Sequence, residues 1–298
     1  MGGVGILATV AHVRFLERPS LSSPAMVCAF RGWNDGGEAA TLAHRYLVQT
    51  WRARPFAELD PEEFYDFQVN RPTVRLVEGV SRVIEWPKGE FAWARVAGRD
   101  VVLFTAPEPN VRWRAFVSEV LGSAREVGCS LLVTLGGFLA DVPHSRPVPV
   151  VGSASDETTV ARLGLEGSRY EGPTGIVGVL HDASNRSGLP SVSLWAAVPH
   201  YAAAGPNPKA ALALVEWASR VLDVPVDTAA LRAAARAWEE RVTAAVAGSE
   251  ELAEYVARLE AAAEASRPAP LTEDQVPSAE ALAAEVERYL REHGGGSP

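Results

Sequence analysis

AMVCAFRGWNDGGEAA, residues 25–40, decides the fold of this chain. Its first six residues form a short continuous apolar run, which is typical of a strand buried on both faces of a sheet. The segment RGWNDGG then breaks the run, and Glu38 to Trp51 continues with apolar residues at helical spacing. A buried strand, a turn and an amphipathic helix in this order predict an α/β protein.

Outward from this stretch, similar patterns recur along the chain. Asn110 is predicted to cap a helix that ends at Gly128, and the pair Gly136-Gly137 is predicted to end a buried strand. Strands are predicted at 56–59, 73–77, 82–86, 91–96, 101–105, 130–135, 148–151 and 192–198, and helices at 111–127, 157–163 and 209–222.

The character of the sequence changes after Pro206-Asn207-Pro208. Apolar stripes in the Ala-rich segment beyond Val226 predict two helices separated at Gly248, followed by a linker at 267–270 and a last helix around 282–290. We therefore predict an α/β core domain over residues 1–225 and a helical extension, a hairpin plus a terminal helix, over residues 226–298.

Composition excludes several classes of function. The 298 residues carry a formal net charge of −9 and no Lys/Arg run, which argues against a nucleic-acid partner. No apolar run approaches the ~18 residues of a membrane span, so no membrane association is expected. Cys28 and Cys129 lie in or beside apolar runs and indicate buried thiols in a reducing, cytoplasmic compartment.

Motifs that identify known enzymes are missing from the sequence. It contains no phosphate-binding GxxxxGK[ST] loop, no GxSxG elbow, no HExxH and no CxxC pair. The six histidines are scattered without metal-ligand spacing. We therefore expect no complete catalytic site, no metal and no cofactor.

Polar side chains instead concentrate in three segments that each follow a predicted strand, the place where ligands bind in open α/β sheets. In the first segment, Asn34 or Asp35 can cap the next helix, while Gly36 permits a tight turn. A phosphate could bind in the same geometry, but the Asp35 carboxylate would repel it, which favours capping.

The second segment runs from Leu135 to Pro147. Asp141 can orient His144 as a general base while Arg146 holds an anionic substrate. The alternative is a structural ion pair between Asp141 and Arg146 that stiffens a proline-rich loop, and this alternative is favoured because no nucleophile lies beside them.

The third group consists of Thr174, Gly175, His200 and Tyr201. Within it, His200 and Tyr201 can either line a cleft or form a structural His–Tyr pair, and the structural pair is favoured. Together the three groups define a predicted pocket at one rim of the sheet. Its candidate residues are Asn34, Asp35, Gly36, Gly137, Asp141, His144, Arg146, Asp156, Thr174, Gly175, His200 and Tyr201.

Four ordered segments resemble the bacterial branch of the proteasome assembly chaperone 2 family. They are AFRGWNDGGEAA, LGGFLADVPHSRPVPVVGSASD, EGPTGIVG and VPHYAAAGPNPKA. The resemblance, over roughly Ala25 to Leu222, implies a three-layer α/β/α sandwich like that of nucleoside phosphorylases and peptidyl hydrolases. It also implies self-association into rings or closed homo-oligomers, among which we favour a trimer, and relatives in archaea and eukaryotes that help to assemble proteasomes. Some relatives dock through a hydrophobic-Tyr-any residue tail, which the ending Gly296-Ser297-Pro298 lacks.

Two functions from different classes follow. The first is a non-enzymatic, homo-oligomeric assembly or scaffold protein with an unidentified protein partner. The second is a binder or hydrolase of small molecules, such as nucleosides or amino-acid derivatives, that uses the predicted pocket. A third, structural alternative assigns oligomerisation to the helical extension.

Overall fold

The computed structural model describes residues 11–77, 81–155, 159, 164, 166–167 and 171–265. The chain divides into two compact units, Met1–Glu260 and Ala261–Pro298. The described residues belong to the first unit, apart from residues 261–265 at the end of the last helix. The helices predicted at 157–163 and 282–290 and the linker at 267–270 lie largely or wholly outside the described residues, and the domain boundary at residue 225 stays a prediction.

One large mixed sheet organises the described chain. Its strands follow the order β1-β3-β6-β7-β2-β8-β11-β9-β10. Their bounds are Val13–Phe15 (β1), Ala25–Arg31 (β2), Arg54–Leu59 (β3), Gly89–Val96 (β6), Arg99–Pro107 (β7), Leu131–Ala140 (β8), Val150–Ala154 (β9), Glu166–Gly167 (β10) and Ser191–Pro199 (β11). The central four, β7-β2-β8-β11, are parallel, whereas β6 and β9 pair antiparallel to them on either side. The carboxyl ends of these four strands therefore form one rim.

Alternation along β2 sends side chains into two separate cores. Val27 and Ala29 join a core covered by helices α1 (Ala39–Thr50) and α4 (Pro208–Leu222). Met26, Cys28 and Phe30 join a phenylalanine-rich core covered by α2 (Trp113–Glu126) and α3 (Ile176–Arg186). The molecule is thus a three-layer α/β/α sandwich, and the predicted fold class is confirmed.

Two more helices follow the sandwich. The helices α5 (Ala229–Ala247) and α6 (Glu250–Ala265) are separated by Gly248 and Ser249, and the helical hairpin stays a prediction. Residues Leu231, Ala235 and Trp238 are buried, as the apolar stripe of α5 requires. No helix among the described residues is long and apolar enough to cross a membrane.

A two-stranded ribbon stands apart from the large sheet. Its strands β4 (Thr73–Val77) and β5 (Ser81–Glu85) pair only with each other. Nearly every side chain of both strands is exposed, the exception being half-buried Val77.

Two local predictions were wrong. The glycines Gly136 and Gly137 do not end β8, which continues to Ala140, because Gly136 lies directly beneath the ring of Trp195 on the neighbouring strand. A methyl group at Gly136 would come within 2.5 Å of that ring, so glycine is needed for packing within the strand. Asn110 does not cap α2; its side-chain oxygen accepts hydrogen bonds from Asp66 N–H and Asn70 Nδ2 instead.

Candidate functional site

The three glycine-containing segments meet at the carboxyl rim, as predicted. The backbone N–H of Gly137 donates to Asn34 O over 2.8 Å, which joins the first segment to the second. A methyl group placed on Gly175 would lie 2.2 Å from Asn34 Oδ1, so the third segment packs directly against the first. Glycine at these positions allows backbones and a buried amide to approach closely.

Asp35 fixes the start of α1. Its Oδ1 accepts hydrogen bonds from Ala40 N–H at 2.8 Å and Thr41 N–H at 3.2 Å, and its Oδ2 accepts from the Thr41 hydroxyl at 2.5 Å. Burial raises the pKa of this carboxyl above its usual value, and the bonds from Thr41 and Ala40 counteract part of that rise. Of the two predicted capping residues, Asp35 therefore takes the role.

Glu108 lies directly after β7, beside Asn34, and its carboxylate connects several segments at the rim by hydrogen bonds. Its Oε1 accepts hydrogen bonds from Asn34 Nδ2 at 2.7 Å and from Ile176 N–H, the first residue of α3, at 2.8 Å. Its Oε2 accepts a longer bond from Trp33 N–H at 3.3 Å. The carboxylate thus occupies the helix N-terminus, where a bound anion would otherwise be stabilised.

Asp141 does not contact His144 in the way the general-base hypothesis requires. Its Oδ1 lies 3.1 Å from His200 Nδ1 and accepts a hydrogen bond from the Tyr255 hydroxyl at 3.0 Å. The side chain of Asp141 is 78% exposed. Asp141 therefore joins β8 to β11 and to helix α6 at the surface.

His144 has other partners and is only 4% exposed. Its Nδ1 lies 2.8 Å from the Tyr201 hydroxyl, and its Nε2 lies 3.0 Å from Thr243 Oγ1. Because Thr243 already donates its proton to Glu239 O, it accepts from His144 Nε2–H, and Nδ1 then accepts from Tyr201. Burial lowers the pKa of His144, which favours this neutral tautomer.

Polar contacts with α5 and α6 complete the cover over this part of the rim. The Lys209 ammonium donates to His144 O at 2.5 Å and pairs with Glu239 of α5 at 2.6 Å. The Ser145 hydroxyl donates to the Glu260 carboxylate of α6. The polar groups after β8 and β11 are therefore largely bonded to the helical pair rather than directed into an open cleft.

The remaining predicted residues occupy different places. Gly36 packs against the backbone of Gly137, and Thr174 packs against Gly178 in the first turn of α3. Arg146 belongs to the turn after Pro143 and has partners of its own, and Asp156 lies outside the described residues. Within the described ranges no group of three His, Cys, Asp or Glu residues could hold a metal.

A cavity of about 390 Å³ lies between the segment after β11 and the helical pair. Tyr201, Trp238 and Arg241 provide its large side chains. Its other lining residues are Ala202, Ala204, Gly205, Pro206, Val242, Ala245, Val246 and Leu252. Of the predicted pocket residues, the cavity includes only Tyr201.

Sequence reasoning missed three residues on which the rim depends, Glu108, Thr243 and Tyr255. Glu108 follows the buried run VVLFTAP, so the rule that polar residues after parallel strands meet at one rim would have found it. Thr243 and Tyr255 carry no such local signal, because they come from helices about a hundred residues further along the chain.

The fold and the rim together define a three-layer α/β/α protein in which the helices α5 and α6 cover the ends of β8 and β11. The profile of the PAC2 family matches residues 29–246, and the chain belongs to that family. A PAC2 family protein from Streptomyces avermitilis is 50% identical, with a TM-score of 0.74, over 78% of this chain and 99% of that one. A proteasome-assembly chaperone homologue from Mycobacterium tuberculosis is 48% identical, with a TM-score of 0.72 and the same coverage.

A more distant structure shares the fold alone. It is an archaeal proteasome activator from Pyrococcus furiosus, with 20% identity, a TM-score of 0.63 and coverage of 78% of this chain and 97% of that one. No curated protein matches the chain significantly.

Proposed function

We propose that this chain is a non-enzymatic, homo-oligomeric assembly protein of the cytoplasm that helps a proteasome, or a related multi-subunit particle, to form. The observation that carries this proposal is the membership of the PAC2 family, together with 48% identity to a protein described as a proteasome-assembly chaperone homologue. A trimer is the stoichiometry we propose.

The geometry of the rim supports a role without catalysis. Glu108 is bonded to Asn34 and Ile176, and His144 is bonded to Tyr201 and Thr243. A catalytic acid or base must instead lie within hydrogen-bonding distance of a bound substrate, with a proton or a lone pair free for transfer. The polar residues at this rim act between elements of the fold.

The test adds the purified full chain to unassembled proteasome subunits from the same cell and follows particle formation by native electrophoresis. We expect faster formation and fewer incomplete particles than with serum albumin at the same concentration. A tagged chain isolated from native cells should also enrich those subunits over the tag alone. An unchanged assembly rate, together with recovery of only the chain itself, would contradict the proposal.

A second candidate is a small-molecule binding protein, favoured by the cavity beside Tyr201. Its volume suits a nucleoside or an amino-acid derivative, and its aromatic side chains and Arg241 resemble the mixture found in such sites. Thermal-shift measurements with these compounds test it. Binding should stabilise the protein by about 2.7 kcal/mol at a hundredfold excess over Kd. Trp238→Ala should abolish the shift, and no shift with any compound rejects this candidate.

A further inference from the structure

A cluster of polar side chains lies at the end of β11 opposite the carboxyl rim. Ser191 is the first residue of β11, Ser153 lies on the neighbouring strand β9, and His181 lies on the helix α3. Ser153 is directly opposite Ser193, whose hydroxyl accepts a hydrogen bond from Trp195 on the α3 side of the sheet. Because directly paired residues point to the same face, Ser153 also faces α3 and reaches His181.

The imidazole of His181 is held between two hydroxyl groups. Its Nε2 lies 3.3 Å from Ser153 Oγ, and its Nδ1 lies 2.8 Å from Ser191 Oγ. Ser191 donates its only proton to Asn185 Oδ1 over 2.7 Å, which is shorter than its 3.4 Å contact with His181 O. The Ser191 oxygen therefore accepts from His181 Nδ1–H, and the lone pair on Nε2 is directed toward Ser153.

The surroundings keep this imidazole in its neutral form. Burial lowers the pKa of His181, and the adjacent Asp182 carboxylate opposes part of that change. A neutral imidazole with a free lone pair is the form that removes a proton from a hydroxyl. Ser191 is fully buried, whereas Ser153 and His181 are half-buried, so the reacting pair is not sealed inside the core.

We propose that Ser153 is an acyl-acceptor site, at which an activated acyl donor modifies the chain with His181 as general base and Ser191 as the residue that positions the imidazole. The donor is an ester or thioester with a good leaving group. This inference goes beyond the proposed function, because it concerns a modification at the opposite end of the sheet from the rim. The product is the acylated chain itself, which is consistent with a protein that has no catalytic turnover.

The step forms one bond and breaks another. Ser153 Oγ attacks the carbonyl carbon of the donor while its proton passes to His181 Nε2. The bond between that carbon and the leaving oxygen or sulfur then breaks, and the proton passes from Nε2 to the leaving group. The products are an ester on Ser153 and a free alcohol or thiol. His181 is neutral again, and no oxidant or reductant is consumed.

The test treats the purified full chain with p-nitrophenyl acetate and locates the acetyl groups by fragmenting the serine-containing peptide in a mass spectrometer. Ser155 is the internal reference, because it is exposed and its oxygen accepts from Ser191 N–H at 3.3 Å. With His181 as its base, Ser153 should be acetylated about a hundredfold faster than Ser155. His181→Asn should lower the rate at Ser153 to about the rate at Ser155.

The role of Ser191 is tested with two substitutions of equal shape, Ser191→Thr and Ser191→Val. Both add the same methyl group at a fully buried position and disturb the packing alike, but only threonine keeps a hydroxyl that can accept from His181 Nδ1–H. Ser153 should be acetylated about tenfold more slowly in the valine variant than in the threonine variant. Equal rates in these two variants would remove Ser191 from the proposed arrangement.

Two outcomes would overturn the whole inference. One is equal acetylation of Ser153 and Ser155 in the unchanged chain, and the other is an unaltered rate at Ser153 in His181→Asn that circular dichroism shows to be folded. The first comparison needs no substitution, so it holds even if the variants do not fold. Because no proteasome subunit is present, the result is independent of the proposed function in assembly.

Discussion

The two halves of the carboxyl rim are closed by different means. At β2 and β7 the closing groups belong to the sandwich itself, since Glu108 bonds to Asn34 and to the start of α3. At β8 and β11 the closing groups come from the helical pair, since His144 bonds to Thr243 and Asp141 to Tyr255. The β2–β7 half of the rim therefore contributes to the stability of the sandwich core. The β8–β11 half, in contrast, is closed only while α5 and α6 remain packed against it.

The largest expected effect is at Glu108 in the core half. Glu108→Ala leaves the Nδ2 of buried Asn34 and the N–H of Ile176 without their acceptor, and we expect a loss of about 4 kcal/mol in the free energy of unfolding. Chemical denaturation measures it. Glu62→Ala, at an exposed glutamate, is the matched control and should change stability little. Equal losses in the two variants would mean that Glu108 does not hold this half together.

A second test of the core uses the pH dependence of stability, which the buried His44 of α1 should control in part. His44 is 5% exposed, and burial lowers its pKa from 6.5 to about 4. The unfolded chain therefore binds the proton more readily, so stability is complete above about pH 6.5 and falls as the pH drops toward 4. The contribution lost is about 3 kcal/mol.

Denaturation of the wild type and of His44→Leu at pH 7 and pH 4 isolates this contribution, because the other titrating groups are shared. The wild type should lose the additional stability on acidification, and the variant should not. Parallel losses in the two proteins would show that His44 is not held neutral in the fold.

Smaller effects are expected in the half covered by the helices. His144→Ala removes the bonds to Tyr201 and Thr243, and we expect a loss of about 2 kcal/mol. Hydrogen exchange should show the faster opening in α5 and α6, while the core strands keep their protection. Tyr255→Phe removes one exposed bond and should have a smaller effect. If β2 and β7 exchange faster as well, the two halves of the rim are not independent.

Much of the fold follows from local sequence. The apolar runs at Met26–Phe30 and Val101–Phe104 are buried strands, and the stripes of α1, α4 and α5 predicted their helices. These predictions succeeded because hydrophobic periodicity is set by burial. The Gly136-Gly137 pair misled because its effect depends on Trp195, a residue nearly sixty positions away that only the sheet register brings close.

The rim was predictable in location but not in pairing. Parallel strands place Asn34, Asp141 and His200 at one edge by topology alone. Which groups then bond depends on side chains from distant helices. The general-base hypothesis paired Asp141 with His144, but Asp141 bonds to His200 and Tyr255 instead. The bond between His144 and Tyr201 was not among the predicted alternatives. Whether the twelve predicted residues bind anything stays a prediction.

The residues that cover the β8–β11 half of the rim are synthesised long after the strands that they cover. Asp141 precedes Tyr255 by 114 residues, and Ser145 precedes Glu260 by 115. At translation rates of about 5–20 residues per second, the strand ends emerge on the order of ten seconds before the residues that shield them. During that interval Tyr255 and Glu260 have not yet been made, so any strands that have already formed expose the β8–β11 half of the rim.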